Sequence, residues 1–194
     1  MDDDSPLHRR IKLLGIAPRF DDEVLYRAPL SQGAVASRIA NLISSDPMLD
    51  RDIYKRGQKI SLSGNEAQKG LIFRRFFVED KDWAILKILK SYFQAVSEAF
   101  PDLWAQKDNP LSKTIGYGAL MSLLVDAYNV GATKGDLSID FFRDLMQRIK
   151  EASDKDTEAP LTFESFPAAG SGESRLYRKL KEWAGLGALD EATA

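Results

Sequence analysis

The chain has 194 residues, of which 44% are hydrophobic and 29% charged, and it carries a net charge of −2 with a pI near 5.6. That is enough chain for one domain with a sizeable core, and the charge balance excludes a global attraction to nucleic acid or anionic membrane while leaving local basic patches open. The absence of cysteine excludes disulfides, thiolate catalysis and cysteine-based zinc sites, and the single histidine, His8, leaves none for a two-histidine metal centre.

The first element starts at Ser5, a good N-cap, with Pro6 at the first helical position and Gly15 as the stop. Leu7, Ile11 and Leu14 make its inner stripe, and His8, Arg9, Arg10 and Lys12 give it a basic outer face. Ala17-Pro18 and Asp21-Asp22 mark a loop, after which Val24 to Tyr26 reads as a short strand or an extended link. Ser31 caps a helix to about Ile43 with Val35, Ile39, Leu42 and Ile43 inward, and Ser44-Ser45-Asp46-Pro47 ends it. From Pro47 to Gly64 the chain reads as a long loop, with Arg51, Lys55, Arg56 and Lys59 around Tyr54 and a brief alternation over Lys59 to Leu62. It is either a solvated loop or a binding loop for an anionic partner.

Glu66 to Val78 reads as a helix without a clean polar face, because Phe73, Phe76 and Phe77 surround Arg74 and Arg75. Together with Trp83 these residues crowd the side-chain types enriched at interface hot spots, so Phe73, Arg74, Arg75, Phe76, Phe77 and Trp83 form the candidate partner surface. Trp83 itself either folds over Phe76 and Phe77 or stands exposed as an anchor. The next helix, Trp83 to Phe100, splits on a wheel of about 100° per residue. One half holds Ile85, Leu86, Ile88, Leu89, Tyr92, Phe93, Val96 and Phe100, and Lys87, Lys90, Ser91, Gln94, Ser97 and Glu98 fill the other.

A turn from Pro101 to Pro110 leads into Ser112 to Val130, a helix apolar on nearly every face, which predicts a central post for the first helix to pack on. Gly116 and Gly118 inside it point to close approach of a neighbour, and Ser122, Asp126 and Asn129 make one polar strip. Ile139 to Ala152 is a covering helix, with Phe142, Leu145, Met146 and Ile149 on its apolar side. An irregular link through Phe163, Phe166 and Pro167 reaches Gly170-Ser171-Gly172, which opens a last helix with Leu176, Leu180 and Trp183 inward. Gly170, Ser171, Gly172 and Arg175 are the candidate anion-binding residues, since a glycine-rich helix start can present backbone N–H groups to a phosphate. The plainer reading is capping by Ser171 with flexible glycines.

Three stretches carry a family resemblance: Ser5-Pro6-Leu7-His8-Arg9-Arg10-Ile11-Lys12, Phe100-Pro101-Asp102-Leu103-Trp104, and Leu111-Ser112-Lys113-Thr114-Ile115-Gly116 leading into the apolar helix. They resemble the carboxy-terminal half of DGQHR-domain proteins, a family that includes the DndB-like proteins of DNA phosphorothioation and related DNA-modification or phage-defence systems. The family's Asp-Gly-Gln-His-Arg motif belongs to an amino-terminal ParB-like half with no counterpart here; Arg56-Gly57-Gln58-Lys59 is only an echo of it. No catalytic residue is therefore carried over, and the resemblance implies the helical half on its own, as a fragment, a split gene product or a small standalone relative.

The fold expected is all-α, a single-domain helical bundle of about seven helices over residues 1–187 with room for one small hairpin, followed by a frayed tail at 188–194. The function expected is a non-enzymatic helical binding or scaffold module, with no catalytic residue, cofactor or metal. Its alternative is a nucleotide- or phosphate-binding protein or enzyme using Gly170 to Arg175. A protein partner or homodimer is expected, direct DNA contact through His8 to Lys12 and Lys55 to Lys59 is a further reading, and no membrane contact is expected of a cytoplasmic chain without an apolar run of roughly 18 residues.

Overall fold

The computed structural model describes residues 5–8, 10–12, 30–67, 69–106 and 109–186. In chain order, strands β1 (Ile11–Lys12) and β2 (Leu30–Ser31) are followed by helices α1 (Gln32–Asn41), α2 (Pro47–Lys55), α3 (Arg74–Val78), α4 (Asp82–Ala99) and α5 (Pro101–Ala105). A 3-10 turn (Pro110–Ser112) then leads to α6 (Thr114–Lys134), α7 (Ile139–Lys155) and α8 (Gly172–Trp183). Helix takes 62% of the described residues, far above the third or so usual in globular chains, so the protein is all-α.

Helix α6 is the post. Ala119, Leu123, Leu124 and Ala127 are fully buried along it, and Gly116 and Gly118 are buried too, because each faces another part of the chain at contact distance. A Cβ on Gly116 would strike the Pro110 carbonyl and the Leu111 backbone, and one on Gly118 would strike the Glu173 carboxylate. The glycines thus let the 3-10 turn and α8 lie against α6. The post is not where α4 packs most closely, however. Helix α4 lies along α7 and α6 along α8, and α4 meets α6 through large rings. Tyr92 donates to the Leu120 carbonyl at 2.7 Å, and Phe93 stacks on Tyr117 at 5.5 Å.

Five features differ from the sequence expectation. Ser5 does start a turn, its Oγ accepting from the Leu7 amide at 3.3 Å, but the chain then extends into β1 in place of a helix. Ile11 pairs with Leu30 and Lys12 with Ser31 in parallel, so the two strands are not the expected hairpin; residues 13–29, including Leu14, Gly15 and the Val24 to Tyr26 strand, lie outside the described residues. Pro47 to Lys55 is helix rather than loop, because Asp46 caps it by accepting from the Leu49 amide at 3.0 Å and Pro47 takes the first position. Lys59 to Leu62 forms no strand. The expected helix from Glu66 shrinks to α3, since Gly70 adopts a left-handed φ of 76° that breaks the run.

The carboxy-terminal end of α8 is tied to the chain after α7 by one carboxylate. Asp156 accepts from Lys179 Nζ at 2.9 Å, Trp183 Nε1 at 3.1 Å and the Ala159 amide at 2.9 Å, which lowers its pKa to about 2, with the lysine as the largest cause. A folded pKa below the ordinary aspartate value of about 4 means stability that is present above that value and lost as pH falls toward 2. Urea midpoints measured in steps across that window should fall more steeply for the wild type than for Asp156→Asn. Equal slopes would show that Asp156 is not held ionised by these partners. The frayed tail from 188, and the domain limit at 187, lie outside the described residues.

Candidate functional site

An apolar groove of about 270 Å³ opens where three separate segments meet. Leu7, His8 and Ile11 form one wall, Val35 and Ile39 of α1 another, and Leu86, Leu89 and Phe93 of α4 the third. Two further rings back its Phe93 side. Phe93 stacks on Tyr117 with planes 12° apart and lies 6.3 Å from Trp104, and Arg10 sits 4.1 Å over Trp104, which fastens the amino-terminal wall to α5. Burial raises the Tyr117 pKa, so its ring is a neutral part of this stack.

Leu86 of the lining and Trp83, one turn before it on α4, are large apolar side chains in water. Trp83 is 66% exposed. Leu86 falls on the apolar half of the helix wheel, yet it is 58% exposed, and no segment among the described residues covers it. Of the two readings for Trp83, the exposed one is what the structure has. The basic side chains here are Lys90, which lines the groove, exposed Lys87 beside Leu86, and exposed Lys12 beside Ile11. No acidic side chain is among the lining residues.

The remaining candidate partner residues are not gathered with Trp83. Phe73 is fully buried, its ring edge-on to Tyr128 at 6.4 Å, and its amide donates to the Leu42 carbonyl. Phe76 also meets Tyr128 edge-on, and Phe77 is half-buried. Arg74 binds Asp50 at 2.6 Å with both side chains largely covered, which anchors α2, and Arg75 pairs with Glu79 on the surface at 3.1 Å. The aromatic and arginine crowding in this stretch is thus mostly core packing and internal ion pairing.

At the start of α8, Gly170 turns the chain with a φ of 68°, and Gly172 is buried against the Pro167 carbonyl, where a Cβ would collide. Ser171 makes no side-chain cap, because its φ of −85° and ψ of 9° lack the extended geometry that aims an N-cap oxygen at the helix. Arg175 is exposed. The carboxylate in the first turn, Glu173, takes a bidentate bond from Arg38 at 2.6 and 2.7 Å. On the same side of the molecule Asp126, the middle of the polar strip on α6, accepts from the Tyr177 hydroxyl at 2.7 Å and from Lys181 at 3.2 Å. Burial and that carboxylate push the Tyr177 pKa to about 12. Asp126 is therefore a paired strut between α6 and α8.

Comparison with protein-family models, with curated proteins and with solved structures finds no match to this chain. Among the described residues no group of three or more His, Asp or Glu side chains is arranged to hold a metal ion, and no helix is long and apolar enough to cross a membrane.

Proposed function

We propose that this protein is a non-enzymatic helical binding module that takes an amphipathic helix of a partner protein, acidic along its edges, into the groove beside Trp83. The observation that carries the reading is the exposure of Leu86 in the lining of an apolar groove and of Trp83 one turn before it on α4. Tryptophan is the residue type most enriched at binding hot spots, and exposed apolar surface beside a concave apolar site is where partners dock. From Leu86 to Phe93 the groove follows α4 for two turns, about 10 Å, which suits a ligand helix with anchors at i, i+3, i+4 and i+7. Lys90 in the lining and exposed Lys87 beside Leu86 favour acidic groups beside those anchors.

A fluorescent helical peptide with leucines at those four positions and glutamates on either side should bind, and its lysine-flanked counterpart should bind more weakly. Trp83→Ala should weaken the glutamate peptide by about 30-fold, the loss expected of a hot spot, with an unchanged melting temperature because the ring is exposed. Equal binding to the variant would overturn the reading. A wild-type dimer that Trp83→Ala dissociates would make the occupant a second copy of this chain instead.

The setting in DNA modification or phage defence that the DGQHR resemblance implies is part of the proposal, and its support is the three sequence stretches that carry it. Genes for a DGQHR-bearing protein or for modification enzymes should lie beside this one. Their absence would remove the setting and leave the groove as it stands.

A further inference from the structure

A second recess, about 690 Å³ in volume, lies between the end of α2 and the end of α3. Tyr54 and Gln58 stand on one side of it, Phe77 and Val78 on the other, Ile60 is the buried member of the lining and Asp80 is at its edge. Gly57, with a φ of 69°, turns the chain sharply between Tyr54 and Lys59 and leaves bare backbone in the wall. The Tyr54 ring is 67% exposed.

The charges beside this recess are distinctive. Nearby, Arg51 reaches Asp52, Arg74 reaches Asp50, and Arg75 and Lys81 both reach Glu79. Lys55, Arg56 and Lys59 are exposed and form no ion pair with any described residue. The carboxyl end of α2 favours a cation at Lys55, but Lys59 lies beyond the Gly57 turn and gains nothing from that helix. Lys59 thus lines the recess with the exposed Tyr54 ring, and Lys55 and Arg56, which follow Tyr54 directly in the chain, are exposed cations with no ion-pair partner among the described residues.

We propose that this recess binds single-stranded nucleic acid, with one base stacked on Tyr54 over the recess and the backbone phosphates on Lys55, Arg56 and Lys59. An aromatic face beside a line of cations is how sequence-tolerant single-strand sites are built. Besides the Tyr54 hydroxyl and the Lys59 ammonium, the polar side chains of the lining are the Gln58 amide, which both donates and accepts, and the Asp80 carboxylate at the edge, which accepts from an exocyclic amino group. Those groups suit the edge of a base. An acidic peptide fits worse, because it would bring a carboxylate against Asp80, and a duplex keeps its bases stacked away from Tyr54.

The test is fluorescence anisotropy of labelled eight-residue DNA and RNA strands titrated with the full chain over a salt series. Binding is expected to fall with salt at a log–log slope of about −2, as three phosphate contacts on a single strand require. Tyr54→Ala should weaken binding about tenfold, and Lys55→Glu with Lys59→Glu should abolish it, while circular dichroism stays unchanged because all three side chains are exposed. Absence of binding at low salt, equal affinity for Tyr54→Ala, equal affinity for duplex, or tighter binding of a polyglutamate peptide would each overturn the proposal.

Discussion

Leu123→Asp and Leu124→Asp should each leave no soluble folded protein. Both leucines are fully buried at the middle of α6, where Leu120 and Met121 are also buried, and no lysine or arginine is among the buried described residues. Truncating a core leucine costs about 3–5 kcal/mol. Desolvating an unpaired carboxylate adds several kcal/mol more, or forces it to stay protonated. Together these approach the whole stability of a domain, about 5–15 kcal/mol. Expression trials with soluble fractions compared on gels will decide it. A variant that folds with wild-type stability would show that α6 is not the centre of the core.

Among the described glycines, Gly116→Ala should be the most damaging change to alanine after Gly172→Ala. In an open helix this substitution would stabilise by up to about 1 kcal/mol. Here the added Cβ meets backbone on both sides of the Pro110–Leu111 bond, and backbone cannot swing away as a side chain can, so α6 and the 3-10 turn must part. The expected loss is about 2–4 kcal/mol, of the order that forced overpacking costs. Gly33→Ala is the control, because it lies in α1 with open space around its Cβ and should raise stability slightly. Denaturant melts of the pair should move in opposite directions; a shift of the same sign in both would mean that Gly116 is not a contact glycine.

Much of the helical architecture was legible because its signals are local. Ser31 caps α1 through the Ala34 amide, the apolar stripe of α7 is buried as its wheel requires, and the all-round apolar character of α6 marks a helix with neighbours on every side. The errors came where a local signal had two meanings or a distant contact overrode it. Asp46-Pro47 ends one helix and starts another, and only the second meaning reveals α2. Ser5-Pro6 starts a turn correctly, but pairing with Leu30 and Ser31 then extends the chain. The groove was not legible, since its walls come from residues near 8, 37 and 89, which no sequence window holds together. Its one local trace was Trp83, which the sequence left either folded over Phe76 and Phe77 or exposed as an anchor. Side-chain crowding from Phe73 to Phe77 pointed instead to a surface that the fold turns largely inward.

The parallel pairing of β1 with β2 sets how tightly the groove can hold anything. The ties that hold one of its walls, Leu7, His8 and Ile11, include a pairing two residues long, the Leu30 amide on the Arg10 carbonyl at 3.0 Å and Arg10 over Trp104. The strand pairing itself, a short latch, has far fewer backbone bonds to break than the helices around it. A ligand that needs all three walls sees only the latched fraction of molecules, and its apparent affinity is reduced by that fraction. Occupancy in turn holds the latch shut, so the amino-terminal strand and the bound partner stabilise each other by equal amounts.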